Sequence, residues 1–246
     1  MFFSDGVFIV IGAYGSIGSV ICSNLKQKNA QVVMAGKNID KLQSLSSEYD
    51  YPFFQLDASN FSQMDSLVEF TLDKFGKLDG VVNCCGSLLL KPAHITSEQD
   101  YLNVIQANLT TSFATVRSCS KAMMGQGGSI VLVSSAAAKI GLTNHEGISC
   151  AKAGIIGLTL SAAATYAPKK IRVNCVAPGL VDTPLTKSIT NNENALKASI
   201  SMHPLGKIGN SQDIASAILW FLDPVNSWVT GQTIAVDGGL SSLKSR

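Results

Sequence analysis

Val7-Phe8-Ile9-Val10-Ile11-Gly12-Ala13-Tyr14-Gly15-Ser16-Ile17-Gly18 is the stretch that decides the fold. Residues 7–11 are an apolar run rich in β-branched side chains between Gly6 and Gly12, the pattern of a strand buried on both faces. Glycines follow at 12, 15 and 18, and Ile17, Val20, Ile21 and Leu25 then recur at helical spacing. The stretch reads strand, glycine-rich turn, helix. A pyrophosphate needs glycines in such a turn, because side chains would keep it from the backbone N–H groups; the helix N-terminus adds partial positive charge. Taken alone, the loop is equally a tight turn between a strand and a helix.

Further along, short apolar runs alternate with stretches of helical spacing. The candidate strands are 31–35, 53–56, 80–82, 129–134, 171–177 and 233–236, and the candidate helices are 40–45, 64–75, 101–123, 147–166 and 214–222. Continuous apolar strands joined by helices predict a parallel sheet covered on both sides, the doubly wound α/β architecture with three layers. No linker or internal repeat interrupts the pattern, so residues 1–246 are expected to form one domain. The least regular stretch, 186–209 with Asn191-Asn192 inside it, reads as a flexible lid over a pocket or as a surface excursion.

Composition excludes several classes. A net charge of +2 with 15% charged residues gives no concentrated basic stripe for nucleic acid. The start of the chain carries no basic segment of a secretory signal, and no apolar run approaches the roughly 20 residues that span a bilayer. A cytoplasmic protein without a membrane partner is expected. The six cysteines show no ligand-like spacing, so no metal site is expected, and Cys84-Cys85 would form a strained bridge. They read as buried thiols in a reducing compartment.

Set side by side, these landmarks resemble the short-chain dehydrogenase/reductase family over essentially the whole chain. The segment 12–18 (Gly12, Tyr14, Gly15, Ser16, Ile17 and Gly18) is similar to the family's phosphate-binding turn, with Ser16 where many members have glycine. Asn83-Cys84-Cys85-Gly86 resembles its Asn-Asn-Ala-Gly segment, with Cys84 for the second asparagine, and Asn108 falls at its helical asparagine. Ser134-Ser135 ends a strand, and Ser135 precedes Lys152 by the family's usual seventeen residues. Pro178-Gly179 with Thr183 resembles the Pro-Gly-x-x-x-Thr region, and Thr230-Gly231-Gln232 with Val236-Asp237-Gly238-Gly239 resembles the C-terminal signature. The resemblance implies a Rossmann fold, a nicotinamide dinucleotide, a small carbonyl or alcohol substrate, and a homodimer or homotetramer built through the helices 101–123 and 147–166.

The cofactor is read from the end of the second strand, Met34-Ala35-Gly36-Lys37-Asn38. NAD sites place a carboxylate there for the ribose 2′-OH, whereas a 2′-phosphate requires a cation. Gly36 takes the acidic position and Lys37 follows it, so NADP is expected and NAD is second; a solvated loop lysine is the alternative. Asp57 and Ala58 resemble the residues that approach the adenine, and Asp57 is equally a turn or cap residue.

In active relatives a tyrosine four residues before the lysine donates the proton, a serine polarises the carbonyl and the asparagine supports a water relay. Ser135, Lys152 and Asn108 fill three of these places, but Ile148 stands at the tyrosine position. An aliphatic side chain cannot donate a proton. His145, three residues earlier, is either a replacement donor or a helix-entry residue beside Glu146. Two readings follow: an NADP-dependent oxidoreductase with a displaced proton donor, and a noncatalytic dinucleotide-binding protein.

Overall fold

The computed structural model describes residues 3–244. Seven parallel strands form one sheet in the order β3-β2-β1-β4-β5-β6-β7: β1 (Val7–Ile11), β2 (Gln31–Gly36), β3 (Phe53–Gln55), β4 (Gly80–Asn83), β5 (Gly128–Val133), β6 (Ile171–Pro178) and β7 (Thr233–Val236). The order reverses beside β1, where Val10 pairs with Met34 on one side and with Val82 on the other. Every residue of β1 is buried, as a strand sandwiched between helical layers requires.

Alternation along the strands sends their side chains into two cores. Phe8, Val10, Val32 and Val131 pack under α1 (Ser16–Gln27), α2 (Ile39–Tyr49) and α9 (Ser211–Leu222). Ile9, Ile11, Val33 and Ile130 pack under α3 (Phe61–Phe75), α5 (Thr111–Met123) and α6 (Glu146–Tyr166). Between β4 and α5 lies α4 (Glu98–Ile105); α7 (Lys187–Thr190) and α8 (Glu193–Met202) lie between β6 and α9. The doubly wound, three-layer Rossmann architecture is the observed one.

Three expectations need correction. The single helix over 101–123 begins earlier, at Glu98, because Ser97 and Asp100 form a reciprocal cap, and it contains a π-helical turn over Gln106–Thr110. Side chains satisfy the carbonyls that this wide turn releases: Asn108 Nδ2 donates to Val104 O at 2.9 Å and Thr111 Oγ1 to Ala107 O at 3.1 Å. The stretch 186–209 is less irregular than expected. Asn192 is not a loop residue but the N-cap of α8, its side chain accepting the Ala195 amide at 3.0 Å. Finally, the helical stretch Glu146–Lys169 is long and apolar enough to cross a membrane by length and composition, with mean hydropathy 1.4, contrary to the reading of the sequence. Ile148, Ala151, Ile155, Ala162 and Ala163 are buried within the protein, and its other face carries the exposed Leu160.

Besides the ladder between β6 and β7, one buried amide of β6 holds the segment that leads into β7. Asn174 is fully buried, donates through Nδ2 to Val229 O at 3.0 Å and accepts the Gln232 amide at 3.0 Å. Asn174→Ala strands both backbone groups and should remove about 3 kcal/mol of stability. Urea denaturation should show a lower midpoint at unchanged slope; a loss below about 0.5 kcal/mol would refute this role.

Candidate active site

A cavity of about 750 Å³ opens at the C-terminal ends of the strands, beside the point where the strand order reverses. Gly12, Tyr14, Gly15, Ser16, Ile17 and Gly18 all line it. Gly12 has φ +77°, and its amide donates to Ala35 O at 2.8 Å, locking the turn onto β2. A Cβ on Gly18 would lie 2.4 Å from Gly12 O, so only glycine lets α1 start this close to the turn. Gly15 is the N-cap of α1, and the Ser16, Ile17 and Gly18 amides of its first turn have no intrahelical acceptor. A cradle of free amides at a helix N-terminus fits a pyrophosphate.

The end of the cavity beside β2 is set by Tyr14. A Cβ on Gly36 would meet Tyr14 Cε1 at 2.5 Å, so the tyrosine ring occupies the place an acidic side chain would need. The Asn38 amide donates to Tyr14 Oη at 3.4 Å, and Lys41 Nζ sits 5.6 Å from the Tyr14 ring centre. Lys37 pairs with Asp57 at 2.9 Å. Burial works against the Asp57 carboxylate, but the Lys37 ammonium and the Ser59 hydroxyl and amide outweigh it and hold its carboxyl below the usual range. Asp57 is also the turn residue foreseen as its alternative, since its Oδ1 accepts Ser59 N at 2.9 Å and Ser59 Oγ at 2.7 Å. Ala58 lines the cavity beside it.

Asn108 and Lys152 come together beside Gly86 of the cavity wall. Lys152 is 7% exposed, and its Nζ donates to Val133 O at 2.8 Å. Burial lowers the Lys152 ammonium to about 8; Cys175, Cys85 and Cys84 oppose this only as thiolates. Burial pushes the Cys85 and Cys175 thiols up to about 11 and Cys84 higher, so near neutrality none supplies a counter-charge. A Cβ on Gly86 would stand 2.9 Å from Asn108 Oδ1 and 3.5 Å from Lys152 Nζ, which brings these two predicted residues to one point. Asn108 is fully buried: Oδ1 accepts the Ser87 amide at 3.3 Å, Nδ2 donates to Ser87 Oγ at 3.1 Å, and its carbonyl accepts Ser112 Oγ at 2.8 Å. Ser135 begins the turn after β5, and its Oγ accepts the Ala137 amide at 3.2 Å, which leaves the O–H to donate. Its neighbour Ser134 ties β5 to α6 through Lys152 O at 2.8 Å.

Ile148 is 3% exposed and packs with Val104, Ala151, Leu89, Ile105 and Leu109, so this part of the site is apolar. His145 is the N-cap residue of α6, partly exposed, with Nδ1 2.7 Å from Thr143 O. Residues 145, 148 and 152 share one face of the helix by spacing.

Not every predicted residue reaches the cavity. Cys84, Gly86, Lys37, Asp57 and Thr183 line it, whereas Asn83, Asn108, Ser135, His145, Lys152, Pro178 and Gly179 lie outside its lining. Asn83 is a brace, donating to Thr115 Oγ1 at 3.1 Å and accepting the Cys85 amide at 2.8 Å. Gly179 makes room for His203, whose Nε2 would lie 2.7 Å from a Cβ there. The sequence reading missed Lys41, Cys85, Gln106, Thr111 and Leu185 on the cavity wall. Lys41 carried a usable signal, one helical turn after Lys37. Cys84 and Cys85 pack towards opposite cores, so a bridge between them would require this floor to rearrange.

The Lys152 position has a defined pH signature. An unfolded lysine keeps its proton to 10.5, whereas the folded one loses it above about 8. Between these values the native state binds fewer protons, so the lysine's contribution to stability rises with pH. The stability of the protein minus that of Lys152→Met should therefore rise by about 2 kcal/mol from about pH 7 to 10. A flat difference in paired urea melts would show that the amine is not desolvated.

The chain is similar to known proteins along nearly its full length. A family profile described as Enoyl-(Acyl carrier protein) reductase matches residues 12–241. The 3-oxoacyl-(acyl-carrier-protein) reductase of Chlamydia pneumoniae is 36% identical over 246 residues, covering 95% of this chain and 96% of that protein. The Thermotoga maritima protein of the same name is 33% identical, covering 95% and 97%. Among solved structures, a short-chain type dehydrogenase/reductase from Mycobacterium ulcerans superposes with a TM-score of 0.94 at 27% identity, covering 98% of this chain and 91% of that one. By fold, glycine cradle and relatives alike, the chain belongs to the short-chain dehydrogenase/reductase family.

Proposed function

We infer that this protein is an NADP-dependent reductase of a small carbonyl compound, working in the cytoplasm as a homo-oligomer. The observation that carries the reading is the buried Lys152 ammonium. Among the described residues it has no carboxylate partner, only Val133 O, and burying an unpaired charge opposes folding by several kcal/mol. A site that retains such a charge is a functional-site candidate. A bound nicotinamide would supply the hydride. Ser135 donates its O–H to the substrate carbonyl, and Lys152 holds the nicotinamide ribose. His145 takes the place of the missing tyrosine: Thr143 O only accepts, so Nδ1 keeps its proton, and it is the imidazolium form, with a second proton on Nε2, that gives that Nε2 proton to the alkoxide and is left as the neutral ring. Lys37 and Lys41, with no carboxylate at position 36, favour the 2′-phosphate. Ala153, Gly157, Leu160 and Ala164 are exposed along one stripe of α6, and Phe113 is half exposed on α5, which suits close packing of helices from a second copy.

The names of the relatives make 3-oxoacyl thioesters the first substrates to offer. NADPH should bind at least about tenfold more tightly than NADH by nucleotide fluorescence, and Lys37→Asp should erase the difference. Equal affinities would remove the NADP assignment. His145→Gln should lower kcat about 100-fold, and Ile148→Tyr in that background should restore part of it. An unchanged kcat in His145→Gln would dismiss the histidine.

A second reading has its own support in the apolar packing around Ile148, which suits a noncatalytic dinucleotide-binding protein. Tight NADPH binding without turnover across a panel of 3-oxoacyl thioesters, ketones and alcohols would favour it.

A further inference from the structure

His203 is a buried histidine to which the proposed chemistry gives no part. It follows α8 as its C-cap, is 3% exposed, and joins three segments. Its Nδ1 lies 2.6 Å from Ser199 O on α8, and the Leu180 amide just beyond β6 donates to its Nε2 at 3.2 Å. Its Cβ and Cδ2 would each lie 3.6 Å from a Cβ on Gly238, in the turn after β7. A carbonyl oxygen only accepts and an amide N–H only donates, so these partners fix one form: Nδ1 protonated, Nε2 bare. Thr186 makes a second fastening nearby, donating to Val181 O at 2.6 Å, and this one does not titrate.

We propose that His203 is a positioning residue: as a neutral imidazole it latches α8 to the Gly179–Val181 segment, and on protonation it lets go. A proton on Nε2 would face the Leu180 N–H, donor against donor, and the contact must break. The carboxylates near the ring are already engaged, including Asp237, which shares the space beside Gly179 with the imidazole. On the β7 turn, the Asp237 carboxylate accepts the Gly239 amide at 3.0 Å and the Ser241 amide at 2.9 Å, and Lys139 acts on it. Beyond β6, Asp182 pairs with Lys187 of α7 at 2.8 Å, and on α8 itself Glu193 pairs with Lys197 at 2.6 Å. The turn towards α9 adds only Lys207, a further positive charge. Among the described residues no carboxylate pairs with the ring.

Release at this point loosens the wall of the cavity. Gly179–Val181 leads directly to Thr183, Pro184 and Leu185, which line it. Acid would therefore weaken dinucleotide binding, a consequence that rests on the function proposed above; the latch itself does not.

Amide exchange of the purified chain without nucleotide separates the two. At about pH 8 and about pH 5.5, which bracket the range in which imidazoles charge, protection is measured after correction for intrinsic rates. The wild type should lose about tenfold of its protection at Leu180 and at 199–203 on acidification, and His203→Gln, whose carbonyl accepts but does not titrate, should not. Equal protection at both pH values in the wild type overturns the latch, as does the same acid-induced loss in His203→Gln. Should that variant fail to fold, nitrogen-15 spectra of the wild-type ring decide. Protonation of Nε2 must coincide with the rise in Leu180 exchange, and separate midpoints overturn the proposal. If exchange behaves as expected but NADPH affinity does not fall in acid, the latch stands and the function assigned to the cavity falls.

Discussion

The contact of backbone on backbone between Gly18 and Gly12 is the constraint from which the site is built. With a Cβ on Gly18 only 2.4 Å from Gly12 O, α1 is able to start directly at the edge of the sheet because that atom is absent. Its first-turn amides then open into the cavity rather than against the core. The same turn fixes Tyr14 over Gly36, which leaves the end of β2 without an acidic side chain and brings Lys37 and Lys41 to the rim. The cradle of free amides and the bare, lysine-rimmed end of β2 thus share one turn.

Behind Gly86 of the cavity wall, polar and apolar demands meet on α6. Ile148 faces a cluster of aliphatic side chains, and one turn later Lys152 buries an ammonium against a backbone carbonyl. Neutral thiols surround the charge and do nothing to balance it. The arrangement holds because neighbouring polar groups are anchored elsewhere: Asn108 to Ser87 and Val104, Ser134 to Lys152 O, Asn83 to Thr115. The charge is left available within a rigid frame.

The sheet, its layers and the glycine cradle were legible in the sequence because each rests on local periodicity or on glycines at fixed spacing. Lys37, Asp57 and Thr183 were likewise found on the cavity wall. What escaped depends on tertiary contact. The sequence assigned Gly179 to the cofactor, whereas in the fold it accommodates the His203 ring. Asn83 looked like a wall residue and is a brace to α5. Asn192 was hidden by its neighbour Asn191, since two asparagines together read as loop although one of them caps a helix. No periodicity in 101–123 announces the wide turn at 106–110, whose stabilising bonds come from side chains.

That turn has a consequence for the lineage of the chain. A π-turn is an α-helix that has absorbed one extra residue, and each residue advances the helix by about 100°. Deleting one residue between 106 and 110 would restore a regular helix and at the same time swing α4 about the axis of α5. Asn103 would leave the cavity wall while Thr111 stayed on it. The length of the segment therefore matters to the cavity as much as the identity of Asn108 within it.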